Sequence, residues 1–371
     1  MRAAVVHPPV AGVSIADVSS PVLTPGSVRV GVLECGVCGT DRDIVGGRYG
    51  RPPDGSEYLI LGHENLGTVR EVGANVTGFA PGDLVVATVR RGCGACRFCR
   101  AGKSDFCESG RFTERGIGGA HGYLAEEYVD VPEYIVRVPP ELRSVAVLLE
   151  PMSVIEKAVF QGQRVLDRKE PTPGQPREGM PSALVAGTGA IGMLAALVLR
   201  VRGWTVSAID RHDANTVAGG VLAAVGARHV DASPGLSALG DDRFDLVVEA
   251  TGSVSLDFAL VNRLARNGVL VLTGIPDSAA PASPVAGGAL WRDVVLNNQA
   301  IVGSVNANRS HFEAGLRDLA VIEERWPGVV GRMISARRPI DECADVLTGH
   351  DPGSVKTVLT LRPGGAATPA R

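Results

Sequence analysis

Three observations predict an α/β chain in two parts. The N-terminal region is a series of short β-branched runs broken by Gly, Pro and Asp. The middle alternates short apolar runs with segments long enough for helices, the pattern of βαβ units and a parallel sheet. A glycine-rich turn, GTGAIG (Gly187–Gly192), joins one such run to a stretch of good helix formers. At 371 residues the chain exceeds what one hydrophobic core usually serves, so two domains are expected.

The N-terminus, MRAAVVHPPVAGVSIADVSS, opens on a strand-like run without the long apolar core of a signal peptide. A cytoplasmic protein is expected, and the glycosylation triplets at Asn75 and Asn308 are read as chance matches. Val28–Leu33, Gly67–Val72, Leu84–Thr88 and Tyr134–Val138 read as the strands of the first region. Asp167–Pro181, rich in Pro, Gly and charge, reads as a surface loop. Ser182–Ala186, Thr205–Ile209, Leu246–Glu249 and Val269–Leu272 then read as strands of a doubly wound parallel sheet. The tail, GGAATPAR, is expected to fray.

Composition narrows the partners. Hydrophobic residues make up 45% and charged residues 21%, ordinary for a soluble enzyme. A formal net charge of −3 offers no basic excess to neutralise phosphates, so neither nucleic acid nor an anionic membrane is an expected partner. Gly179–Leu199 carries no charge and approaches the roughly 20 apolar residues that span a bilayer. Glycines interrupt its centre, and Arg200 and Arg202 close its end, so it reads as a buried strand and helix.

Within that stretch, Ser182–Ala186 leads into a G-x-G-x-x-G turn, and Ala190–Arg202 continues as helix. The glycines serve the tight turn, the close approach of a pyrophosphate and the packing of helix on strand. Free N–H groups at the helix start hold phosphate. The following strand ends on Asp210, at the spacing where an acid binds the ribose hydroxyls. Strand, turn, helix, strand and acid in this order predict a Rossmann domain with Gly187, Thr188, Gly189, Ala190, Ile191, Gly192 and Asp210 at the cofactor. Asp210 disfavours a 2′-phosphate and points to NAD. Arg211 and His212, next in line, can receive that phosphate, so NADP stays open.

Seven cysteines in a chain without a secretory signal suggest metal binding over disulfides. Cys93, Cys96, Cys99 and Cys107 form a C-x2-C-x2-C-x7-C run, suited to a closed tetrahedral Zn²⁺. An iron–sulfur cluster competes, and the tight local spacing favours zinc. A second set is dispersed: Cys38 in ECGVCGTD, His63 and Glu64 in LGHEN, and Glu150 in LLEPM. A catalytic zinc wants three protein ligands and one open place, which these supply only if the fold unites them. Cys343 reads as structural.

The stretch GHENLGTVREVGANVTGFAPGDLV (Gly62–Val85), with CGVCGTD, the four-cysteine run and the dinucleotide motif in this order, resembles the zinc-containing medium-chain dehydrogenase/reductase superfamily over nearly the whole length. RRGCGACRFCRAGKSDFCESG, LLEPMSVIEKA and IVGSVNANRSHFEAG resemble its glucose dehydrogenase branch. The resemblance implies a GroES-like, β-rich catalytic domain over 1–165 and 307–371 and a Rossmann domain over 166–306. It implies two zinc ions per chain, one on Cys38, His63 and Glu150 with Glu64 as an exchangeable ligand. Thr40 is implied to relay the substrate proton, with Asp43 where many relatives carry a terminal His. Thr251, Gly274 and Asn306 are implied to line the nicotinamide; Glu114, Glu150 and Asn306 are implied to face substrate. A homodimer or homotetramer is implied as well.

Three positions at which that branch holds sugar hydroxyls are here Val89, Val154 and Leu296. Unpaired hydroxyls cost roughly 1–3 kcal/mol each, so a cyclitol, deoxysugar or related secondary alcohol is expected ahead of free glucose. Two rivals stay open: a zinc alcohol dehydrogenase for a less polar alcohol, and a nicotinamide-binding regulatory protein without turnover.

Overall fold

The computed structural model describes residues 1–169, 180–211, 215–277, 283–349 and 353–361. His212, the C-terminal tail and most of the Pro-rich Asp167–Pro181 segment lie outside the described residues. The chain forms two compact units, Met1–Ser153 with Asn306–Leu316 and Ile334–Arg371, and Val154–Val305 with Arg317–Met333. Two of the four changes of unit fall inside helices, Leu149–Leu166 and Arg309–Arg325.

The first unit is built on a seven-stranded sheet. Its order is Ile135–Arg137, Leu84–Ala87, Glu64–Val72, Val28–Val37, Lys356–Thr360 and Ile334–Pro339, with Glu127–Asp130 also paired to Val28–Val37. The central strand Val28–Val37 is buried along most of its length, and Val30, Val32, Leu61, Tyr123 and Leu359 share its core. The strands expected from short β-branched runs are present, two of them longer and two shorter: Val28–Leu33 extends to Val37 and Gly67–Val72 begins at Glu64, while the others span Leu84–Ala87 and Ile135–Arg137. The additions are Glu34 to Val37 and Glu64 to Leu66, where a cysteine, a glycine and acids hide the β pattern. Pairing across the sheet holds them extended, with Gly36 opposite Glu64 and Cys35 opposite both Asn65 and Leu359.

The second unit is an all-parallel six-stranded sheet ordered Arg228–Asp231, Thr205–Asp210, Ser182–Ala186, Phe244–Glu249, Leu264–Leu272 and Ala300–Gly303. Strand order turns outward in both directions from Ser182–Ala186, which is where doubly wound sheets bind nucleotides. The helix Ala190–Val201 is buried from Gly192 to Leu199, which explains its charge-free sequence. No helix among the described residues is long and apolar enough to cross a membrane. Leu264–Leu272 starts earlier than expected because it runs through Asn267 at φ 62 and Gly268 as an irregularity in register. Those residues have turn chemistry and mask the strand.

Candidate active site

The glycine turn is shaped as its sequence demands. Gly187 has φ +96, a conformation costly for other residues, and a Cβ at Gly192 would stand 1.9 Å from the Gly187 carbonyl oxygen. Gly189 caps the helix that begins at Ala190, and a Cβ there would meet no protein atom within 4 Å. That open space beside free helix N–H groups fits a pyrophosphate. Asp210 closes the turn: its Oδ2 accepts from the Thr188 amide at 3.0 Å and from the Thr188 hydroxyl, and its Oδ1 accepts from the Arg211 amide at 2.6 Å. Thr251 and Gly274 are both tied to the buried Glu249. Its Oε1 accepts from the Thr251 amide and hydroxyl and from the Gly252 amide, and its carbonyl oxygen accepts from Gly274 N–H at 3.3 Å.

The four-cysteine run is a cluster of half-buried thiols whose ligand atoms all lie within 4.8 Å of one another. With Zn–S of about 2.3 Å, tetrahedral sulfurs sit about 3.8 Å apart. Cys93 Sγ and Cys99 Sγ are 3.9 Å apart. Amides of Cys96 and Cys99 donate back to Cys93 Sγ and Cys96 Sγ, each at 3.4 Å. The thiols pull against one another: a hydrogen bond from Ser109 lowers Cys93 to about 5, while burial and its sulfur neighbours push Cys99 up to about 12. Four thiolates cannot coexist at this spacing without a cation, and the donor set fits zinc.

The dispersed set also converges. Cys38 Sγ, His63 and Glu64 offer ligand atoms within 4.8 Å of one another, with Cys38 Sγ 3.1 Å from His63 Nε2. Cys38 precedes the helix Gly39–Val45, where Thr40 is half-buried. Glu64 begins its strand directly after His63. The thiol, imidazole and carboxyl fit zinc. Glu150, in the first turn of Leu149–Leu166, stands outside this trio. Burial, with Glu64 nearby, pushes its carboxyl up to about 7.

Two supporting residues escaped the sequence reading. Asp41, buried in the helix after Cys38, accepts from the Cys38 amide at 2.9 Å with Oδ2. Its Oδ1 faces His63 Nδ1 at 3.3 Å without the alignment of a hydrogen bond. One carboxylate thereby braces two side chains of the candidate metal cluster, the support that metal ligands usually have. Burial works against the ionised Asp41, yet His63 beside it holds its pKa below the ordinary value. The only hint in sequence is an acid three residues after Cys38. Lys356, from the C-terminal strand, donates to Glu64 Oε1 and Oε2 at 2.6 and 2.7 Å and to the Val37 carbonyl at 3.2 Å, all buried. Gly36 leaves room for that carboxylate, since a Cβ there would lie 2.0 Å from Glu64 Oε2. No local signal in sequence marks Lys356.

Of the residues expected at substrate, Glu114 and Asn306 meet: Asn306, at φ 59, donates from Nδ2 to Glu114 Oε1 at 2.6 Å. Val89 is buried, Val154 half-buried and Leu296 exposed.

Comparison with known proteins places this geometry in context. Residues 24–140 match the family model of the alcohol dehydrogenase GroES-like domain, and residues 143–361 match that of the glucose dehydrogenase C-terminus. Glucose 1-dehydrogenase of Methanocella arvoryzae is 42% identical over 352 residues, covering 94% of this chain and 95% of that protein. The enzyme of the same name from Metallosphaera sedula is 39% identical over 370 residues, with 97% and 98% covered. Among solved structures, Haloferax mediterranei glucose dehydrogenase in complex with NADP, Zn and gluconolactone aligns with a TM-score of 0.86 at 30% identity, covering 98% of this chain and 99% of that one.

Proposed function

Since the chain belongs to the zinc-containing medium-chain dehydrogenase/reductase superfamily, in its glucose dehydrogenase branch, we propose that it is an NAD(P)-dependent zinc dehydrogenase. Its substrate in this reading is a secondary alcohol of a sugar, cyclitol or related polyhydroxy compound. The observation that carries the reading is the convergence of Cys38, His63 and Glu64, braced by Asp41, in the same unit as the polar pair Glu114 and Asn306.

Cys38 and His63 hold the catalytic ion, with Glu64 or Glu150 as the carboxylate ligand. Bound zinc supplies Lewis-acid polarisation, which lowers the pKa of the substrate hydroxyl, and bound nicotinamide supplies the hydride acceptor. Asp41 fixes the imidazole and the Cys38 backbone. Lys356, bonded to both Glu64 oxygens, balances the charge of that buried carboxylate. Thr40 relays the hydroxyl proton, its hydroxyl accepting it while passing its own proton on toward solvent. Gly187–Gly192 hold the pyrophosphate; Asp210, with Arg211 and His212 following, selects at the adenosine ribose, NAD first with NADP accepted. Thr251 and Gly274 orient the nicotinamide. The four-cysteine lobe holds a second, structural zinc.

Glu114 and Asn306 bind substrate hydroxyls, while the aliphatic residues Val89, Val154 and Leu296, at positions where the branch holds sugar hydroxyls, favour a substrate less polar than glucose. Each hydroxyl left without a partner costs roughly 1–3 kcal/mol. The ground for placing the enzyme in the cytoplasm as a homodimer or homotetramer is its family. A panel of aldoses, cyclitols, deoxysugars and simple alcohols, assayed with NAD and with NADP before and after zinc removal, tests the reading. We expect turnover with a polyhydroxy compound that disappears on chelation and returns with Zn²⁺. Cofactor binding without turnover on any alcohol sinks it in favour of a binding protein, and preference for apolar alcohols sinks the substrate class.

A further inference from the structure

Glu114 does not stand alone. Its side-chain bonds all fall on one oxygen: Oε1 accepts from Arg90 Nε at 3.2 Å, Arg90 Nη2 at 2.9 Å and Asn306 Nδ2 at 2.6 Å. Among the described residues nothing donates to Oε2, and the side chain keeps 12% exposure. The third arm of Arg90, Nη1, donates to the carbonyl oxygen of Asp105 at 3.1 Å, and its guanidinium stacks on Phe112 at 3.9 Å. Asp105 sits in the short turn Ser104–Phe106 that delivers Cys107 to the four-cysteine cluster. Its Oδ1 in turn accepts from Asn308 Nδ2 at 2.8 Å, two residues beyond Asn306.

These contacts close a ring within the first unit: Asp105, Arg90, Glu114, Asn306, Asn308 and back to Asp105. Arg90 is buried and bridges two acceptors with a rigid planar fork, which only an arginine can do. By holding Oε1 it leaves Oε2 as the hydrogen-bond acceptor for a hydroxyl. The ring also anchors that acceptor to the metal-binding lobe.

We propose that Arg90 is a positioning residue for substrate hydroxyls, and that the Asp105–Arg90–Glu114 chain makes the four-cysteine lobe a determinant of substrate affinity. The inference rests on the reading of Glu114 and Asn306 as hydroxyl-binding groups. Its ligand class is a polyol or sugar that donates a hydroxyl to Glu114.

Arg90→Lys keeps the charge beside Glu114 but loses the fork to Asp105. The zinc-loaded variant is compared with the parent in kcat and KM for its best polyhydroxy substrate and for a simple secondary alcohol, with zinc content and calorimetric binding of the polyol. The polyol KM and dissociation constant should rise about tenfold. Its kcat should stay within about threefold, and the simple alcohol's KM and the zinc content should not move. Equal losses on both alcohols, or an unchanged polyol KM, overturn the proposal. Glu114→Gln separates the layers. If it leaves the polyol KM unchanged, the reading of Glu114 falls and the inference with it. If it raises KM while Arg90→Lys does not, the inference alone falls. Should Arg90→Lys not fold, Asn308→Ser cuts the tie to Asp105 while a serine still caps the following helix. A polyol KM raised about threefold at constant zinc content then upholds the ring, and no rise overturns it.

Discussion

The two metal-binding clusters of the first unit are built by opposite means. The four-cysteine lobe is local: its donors lie in one short run, their own amides donate to the sulfurs, and all four thiols are half-buried. The Cys38–His63–Glu64 cluster is assembled by a sheet. His63 and Glu64 are buried, and both depend on charged groups from elsewhere, Asp41 and Lys356. The lobe uses four equivalent donors and leaves no position for chemistry. The dispersed cluster contains a carboxylate with an alternative partner already in place, the Lys356 ammonium. A local cluster is suited to holding an ion permanently, and a dispersed one to changing its ligands.

Breaking one cysteine in each cluster is the severest test. Cys38→Ser should cut kcat/KM about 10⁴-fold, the scale of losing a metal-activated hydroxyl, while the melting temperature stays close to that of the parent. Cys99→Ser should do the reverse, releasing the lobe's zinc and lowering the melting temperature while kcat holds within about threefold. Metal analysis, calorimetry and steady-state kinetics on both variants decide it. If both lose turnover alike, the division between a chemical and a structural cluster is wrong.

Next in size is Lys356→Met, which leaves Glu64 buried without its cation. Removing one partner of a buried pair costs about 3–5 kcal/mol, so the zinc-free variant should melt well below the zinc-free parent. Added Zn²⁺ should recover most of the difference, because Glu64 then has only the ion to pair with. A variant as stable as the parent without zinc would mean that the ammonium is not what holds Glu64.

Asp41→Asn should weaken zinc binding or activity by about 10–100-fold, read by chelator competition. It should also reshape the pH dependence of the zinc-free chain. Burial alone would lower the His63 pKa, but Cys38 and Asp41 raise it well above its ordinary value of 6.5. The stability this adds is complete below that value and is lost as pH rises through the raised folded-state pKa. Thermal melts of the zinc-free protein should show that loss, and it should shrink in Asp41→Asn. Cys99→Ser leaves Asp41 and His63 in place, so it should leave this His63-linked loss unchanged, the smallest effect in the series.

What was legible in the sequence follows the same division. The cysteine run and the Gly187–Gly192 turn are patterns of neighbouring residues, and the structure displays both where the spacing puts them. Strand cores were legible from β-branched runs, whereas the ends carrying Cys35 to Val37 and Glu64 were not, because partners across the sheet hold them extended. Asp41 was close in sequence to a named ligand but drew no attention, since its role depends on a histidine that arrives from another strand. The resemblance implied both Glu64 and Glu150 as ligands, and it takes the fold to bring the Glu64 ligand atom within 4.8 Å of those of Cys38 and His63.

By itself, the sequence determined the architecture of two α/β parts, the nucleotide turn and the cysteine cluster, because hydrophobic period, glycine conformation and short-range donor spacing act over a few residues. Tertiary structure alone decided that Glu64 lies beside Cys38 and His63, that Lys356 reaches Glu64 across 292 positions, and that Arg90 links Glu114 to the four-cysteine lobe. Burial makes those long-range pairings compulsory. A charge removed from water must find its counterpart wherever the chain has folded it, and no local pattern records where that will be.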